Sequence, residues 1–251
     1  DQDILAEWTA AVSQRTPLSG RDLLEGAVDV DWFWRIYQTL GEQRWEMVYD
    51  AAKYSSTGVG HTRAKQFADA MLGKLEIDAL SKRITLKRHQ DSVRALGLLP
   101  LPQDGREQII LERYLLLQEF LHGSRKFGAQ RRESEKLAAQ IGMENLARTA
   151  GYPDPARLAW AMEAREVQDL KAGAISSTID DVTMTLVIDV VGKPKLTIER
   201  AGKSIKSLPA RYNKAPEFVA LKERKAAIDK QYSRMRVSLE TAMCRADSFT
   251  G

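Results

Sequence analysis

Residues 123–132 read Gly-Ser-Arg-Lys-Phe-Gly-Ala-Gln-Arg-Arg, a segment rich in groups that can hold an anion. Periodicity places it between the end of one helix and the start of the next. A helix start offers backbone N–H groups without intrahelical acceptors, and clustered guanidinium and ammonium groups add charge. Ser124, Arg125, Lys126, Gln130, Arg131 and Arg132 are therefore the candidate anion-binding residues, for a phosphate or a carboxylate. The same residues also have a purely structural reading. Arg125 and Lys126 would complement a helix C-terminus, Ser124 or Gln130 would cap the next helix, and the arginines would pair with Glu119 or Glu144 inside the fold.

Other chemistry is sparse. His61, His89, His122 and the single Cys244 lie far apart and share none of the short spacings of zinc ligands. His89, close to Asp91, is expected to be exposed or to cap a helix. Gly202, Lys203 and Ser204 look like the end of a phosphate-binding loop, but the glycine required five residues earlier is Thr197, and the segment joins two strands. The acidic pairs Glu133/Glu135 and Asp180/Asp181 do not share a helical face and are expected to be solvated. Trp8, Trp32, Trp34, Trp45 and Trp160 fit core or interface packing better than base stacking. No catalytic residue, metal ligand or cofactor site is assigned.

The elements that would position these residues are mostly helical as far as residue 171. Trp8 and Val12 share a first helix that stops before Pro17. Trp32, Phe33, Ile36, Tyr37 and Leu40 follow Asp31 as N-cap and end at Gly41. Trp45, Val48, Tyr49 and Ala52 form a further helix, closed by a breaker at residues 55–60, and Phe67, Met71 and Leu75 mark another. Asp104 and Glu107 suggest a capping box before a helix over residues 105–122. That helix is apolar nearly all round, which predicts the central position in the bundle. Asp154 and Pro155 form an N-cap and N1 pair, and Gly173 closes the helical part.

Beyond Gly173 the period becomes two. Val182, Met184, Leu186 and Ile188 predict a strand, Leu196 and Ile198 a second, and Ile205 a short third, with turns at residues 191–194 and 200–203. A meander with one apolar face needs a helix to lean on. The last helix supplies it: Phe218, Leu221, Ile228, Tyr232, Met235, Leu239 and Ala242 recur at three- and four-residue steps over about 45 Å. The expected fold is mainly α: an irregular multi-helix bundle, HEAT-like at most, then a three-stranded antiparallel meander and a long C-terminal helix. Residues 1–172 form the bundle, and residues 173–251 form the meander plus basic helix, packed on it.

Charge is segregated along the 251 residues. Residues 1–60 carry 5 basic and 10 acidic groups, residues 81–136 carry 12 and 7, and residues 193–251 carry 14 and 6. Basic segments can bind phosphates or face the acidic segments of the same chain. One cysteine excludes an internal disulfide and fits a reducing, cytoplasmic compartment. No apolar run reaches the ~18 residues of a membrane span. A first residue other than Met, and a last helix running almost to the end, are read as a fragment of a longer protein.

Four blocks carry a family resemblance: KRHQDSVRALGLLPLP (residues 87–102), RYLLLQEFLHGSRKFGAQRRESEKLA (113–138), ENLARTAGYPDPARLAWAME (144–163) and GKSIKSLP (202–209). They resemble a bacterial family named after a molybdate metabolism regulator, whose long members often carry a separate WGR domain. The resemblance implies a regulatory parent protein and supplies no reaction. The expected function is a non-catalytic helical scaffold or interaction module of a large cytoplasmic regulator, a monomer rather than a coiled-coil dimer. Its partner would be another domain of the parent or a separate protein. Alternatives are a nucleic-acid-binding region using residues 81–136 and 193–251, or an anion- or nucleotide-binding enzyme.

Overall fold

The computed structural model describes residues 2–55 and 59–246. Among them are ten α-helices, the last of 29 residues, and a four-stranded antiparallel sheet, so the chain is mainly α. It divides into two compact units, Asp1–Ala159 and Trp160–Gly251, with the division inside the helix Pro155–Glu166 rather than at the change of period.

The first unit contains α1 (Gln2–Ser13), α2 (Gly20–Glu25), α3 (Val30–Ser55), α4 (Val59–Met71), α5 (Ile77–Lys87), α6 (Gln90–Leu96), α7 (Arg106–Gly123), α8 (Ala129–Ala150) and the start of α9 (Pro155–Glu166). Asp29, two residues before the expected cap, starts α3: its Oδ1 accepts from Trp32 N at 2.9 Å. Gly41 (φ 70°, ψ 166°) leaves the helical backbone and divides α3 into two helical segments, as expected from its place after Leu40, because glycine takes this positive-φ backbone without a Cβ clash. The breaker expected at residues 55–60 falls between the end of α3 at Ser55 and Val59, and residues 56–58 lie outside the described residues.

Two expectations about α7 are corrected. Its N-cap is Gly105 at φ 68° with no side-chain cap, so Asp104 and Glu107 form no capping box. Nor is α7 enclosed all round. It buries Ile110, Tyr114, Leu117 and Phe120, while Leu115 is 40% exposed on the same face as Glu112 and Glu119. The two glutamates select which side meets water. The enclosed element is α6 with the residues after it: every residue from 92 to 99 is buried.

Glycine makes that burial achievable. A Cβ on Gly97, just after α6, would lie 2.5 Å from the Gly142 carbonyl oxygen and from Leu146 N on α8. One on Gly142 would lie 2.7 Å from the Val93 oxygen. The two segments therefore touch backbone to backbone. Buried polar groups tie the surroundings to this crossing, as low-dielectric burial requires. Asn145 Nδ2 donates to the oxygens of Gly26 (3.1 Å) and Arg94 (3.2 Å), and its Oδ1 accepts from Val28 N (3.0 Å). Arg113 donates to the Leu99 and Pro100 oxygens at 2.6 and 2.9 Å, and burial pushes its pKa down to about 10.

The second unit holds the remainder of α9, a 3-10 turn (Gln168–Ala172), β1 (Ile175–Ile179), β2 (Val182–Ile188), β3 (Pro194–Arg200), β4 (Lys203–Ser204) and α10 (Pro216–Cys244). The sheet order is β1-β2-β3-β4, one strand more than expected. The unforeseen strand is β1, whose inward side, Ile175, Ser177 and Ile179, has a polar residue at its centre and so lacks a clean alternation. Ala201 (φ 48°) and Gly202 (φ 77°) form the two-residue β3–β4 turn, the positive-φ pair of a type I′ hairpin. Val182, Met184 and Leu186 pack with Phe218, Leu221 and Ile228 of α10 and with Leu170, so the apolar side of the sheet lies against a helix. Among the described residues no helix is long and apolar enough to cross a membrane.

Candidate functional site

Arg88, a residue the motif reading passed over, dominates the junction between α7 and α8. It ends α5 in the left-handed region (φ 50°) and reaches Glu135 of α8, donating from Nε at 3.0 Å and from Nη2 at 2.6 Å. Its Nη2 also donates to the Phe120 oxygen at 2.7 Å, and its guanidinium lies 4.1 Å from the Phe120 ring centroid. Arg131 completes the cluster, donating to Glu135 Oε1 at 2.9 Å and stacking 3.6 Å from the Phe127 centroid. Glu135 is 1% exposed, so the expectation of a solvated Glu133/Glu135 pair is wrong for Glu135. Burial pushes its carboxyl up, but the hydrogen bonds from Arg88 and Arg131 outweigh that and hold it below the ordinary glutamate value. Gly123 leaves room for the arginine, since a Cβ there would lie 2.9 Å from Arg88 Nη1.

The six predicted residues fare differently around this cluster. Ser124 is buried, and its hydroxyl donates to the Leu121 oxygen at 2.7 Å instead of capping α8, whose N-cap is Gly128. Gln130 is exposed and caps nothing, and Arg125 and Arg132 are exposed as well. Lys126 lines a cleft of about 280 Å3 with Thr85, Arg88, Glu119 and His122. Arg131 pairs with Glu135, not with Glu119 or Glu144; Glu144 is taken by Arg148 at 3.3 Å. The chain thus supplies its own carboxylate to the arginine it was expected to offer a ligand. His89 caps α6, its Nδ1 accepting from Ser92 N at 3.2 Å, and burial together with Arg83 lowers its pKa. Several cations of residues 81–136 are engaged internally: Arg88, Arg94, Arg106, Arg113 and Arg131 all bond within the unit.

The second unit offers a different kind of site. The N-terminal half of the α10 apolar row is consumed by the sheet. Its C-terminal half is not: Tyr232 and Met235 are half-buried, and Leu239 and Met243 are 43% and 75% exposed. With Val167, just after α9, and Val191 of the β2–β3 turn they wall an apolar groove of about 510 Å3. Glu163 braces the helix beneath, its carboxylate accepting from Arg234 Nη2 at 2.7 Å and its backbone oxygen from Gln231 at 2.6 Å. Lys171, Arg236 and Glu240 border the opening, and Lys193 lies 5.8 Å from the Tyr232 centroid. Arg236 and Glu240 neutralise each other at 2.8 Å, which leaves the two lysines as net charge.

The family of unknown function DUF5724 matches residues 3–162. The chain belongs to that family. Residues 202–251 match a domain of unknown function, DUF4132. No curated protein and no solved structure matches. In this DUF5724 chain the family match contains the whole Arg88–Glu135–Arg131 cluster, and the DUF4132 match contains all of α10 and so the long wall of the groove.

Proposed function

We propose that this DUF5724 chain is a non-catalytic interaction module that receives the apolar face of an acidic amphipathic helix in the α10 groove. The observation that carries this is the half-used apolar row of α10: Ile228 is buried in the unit's own core, whereas Leu239 and Met243 face outward on the same helix. The open part spans residues 232–243, about 17 Å, which matches a partner helix of about three turns. Met235 and Met243 are flexible and polarisable, properties suited to a surface that accepts varied apolar side chains. Lys171 and Lys193 at the border favour acidic flanks on the partner and disfavour a second copy of the same basic face. The resemblance to the molybdate-regulator family supports placing the module in a larger regulatory protein, whose other domains are candidate partners.

The test is fluorescence anisotropy with a labelled amphipathic peptide carrying leucines on one face and glutamates on its flanks. Binding should weaken about tenfold in Leu239→Asp, with the melting temperature unchanged because the side chain is exposed. A lysine-flanked peptide should bind more weakly. Equal affinity of wild type and Leu239→Asp, or no binding by either peptide, rejects the proposal.

A further inference from the structure

The first unit carries a pocket unrelated to the α10 groove. The interruption of α3 at Gly41 returns Trp45 against the earlier part of the same helix. Its ring meets Phe33 at 5.1 Å and 83°, and Tyr37 at 5.6 Å and 68°. Beside this corner lies a pocket of about 300 Å3 lined by Trp32, Phe33, Ile36 and Trp45, with Leu23 on the α2 side and Asp29 among the lining residues. Three large rings left half-buried around open space are unusual, since aromatic side chains are normally covered by the core they build. One further observation shows that the pocket carries an uncompensated charge. The Asp29 carboxylate accepts only from neutral donors, Trp32 N at 2.9 Å and Thr16 Oγ1 at 2.6 Å, and no cationic side chain among the described residues pairs with it.

We infer that this pocket binds a quaternary ammonium group. Aromatic faces present negative potential, and an alkylated cation gains from them without needing hydrogen-bond acceptors. A primary ammonium or guanidinium would have to turn part of its N–H groups toward Ile36 and Leu23, which offer no acceptor, whereas an alkylated cation has none to satisfy. Asp29, among the lining residues and with no cationic partner among the described residues, adds its negative charge to the attraction. The surplus of acidic groups in residues 1–60 favours a cation at this end of the chain.

The experiment is a tryptophan-fluorescence titration of the full chain with tetramethylammonium, glycine betaine and, as a neutral isostere, neopentyl alcohol, at constant ionic strength. Tetramethylammonium and betaine should each give a saturable change, with neopentyl alcohol giving none in the same range. Asp29→Asn keeps the α3 cap and removes the charge, and should weaken tetramethylammonium binding about fivefold or more. Trp32→Leu should weaken it further, with far-ultraviolet circular dichroism confirming the fold. An equal response to neopentyl alcohol, an Asp29→Asn affinity equal to wild type, or no saturable change with either cation overturns the inference.

Discussion

Arg88 Nη2 lies 2.6 Å from Glu135 Oε2, joining the end of α5 to a carboxylate 47 residues further along the chain on α8. Arg131 approaches the same carboxylate from one helical turn before it. The pair welds three helices, because Arg88 also holds the Phe120 oxygen of α7.

Replacing Glu135 by Gln should therefore destabilise the first unit by about 3 kcal/mol, since a buried guanidinium loses its counter-charge while its surroundings stay unchanged. Urea denaturation followed by circular dichroism measures this. A change within about 0.5 kcal/mol, as at an ordinary surface site, would show that the cluster is not holding the helices together.

The same carboxylate makes stability acid-sensitive. Its folded pKa is lowered, so its stabilising contribution is fully present above the unfolded value of about 4.3 and is lost as pH falls through the folded value. The melting temperature of wild type should fall more steeply below about pH 4.3 than that of Glu135→Gln. Parallel curves for the two proteins would contradict the assignment.

Gly97→Ala and Gly142→Ala should each cost about 3 kcal/mol or prevent folding, because the new Cβ would meet backbone atoms at 2.5 and 2.7 Å that cannot move independently. Gly60→Ala is the control. It sits on α4 with nothing within 4 Å, and should be neutral or stabilising by about 0.5 kcal/mol.

Leu117→Asp should unfold the first unit, since that side chain is fully buried and an unpaired carboxylate there costs several kcal/mol. Leu115→Asp, on the exposed face of the same helix, should leave the melting temperature within a few degrees of wild type. Equal loss in both would restore the all-round burial that the composition of α7 implied.

Local patterns in the chain were enough to determine most of the elements. The change of period after Gly173, the start of α9 at Asp154 and Pro155, the turn at Ala201 and Gly202, and the apolar row of α10 all depend on residues within a turn of one another. Propensity, capping and alternation act over that range. What the tertiary structure alone decided is which residues meet. That Glu135 is buried and taken by Arg88, that α6 rather than α7 is enclosed, that Gly97 and Gly142 admit a backbone crossing, and that Leu239 is left outward while Ile228 is covered follow from the approach of elements far apart in sequence. A glutamate in a polar run reads the same whether it faces water or a guanidinium 47 residues away, because its local chemistry is identical and only packing sets its surroundings.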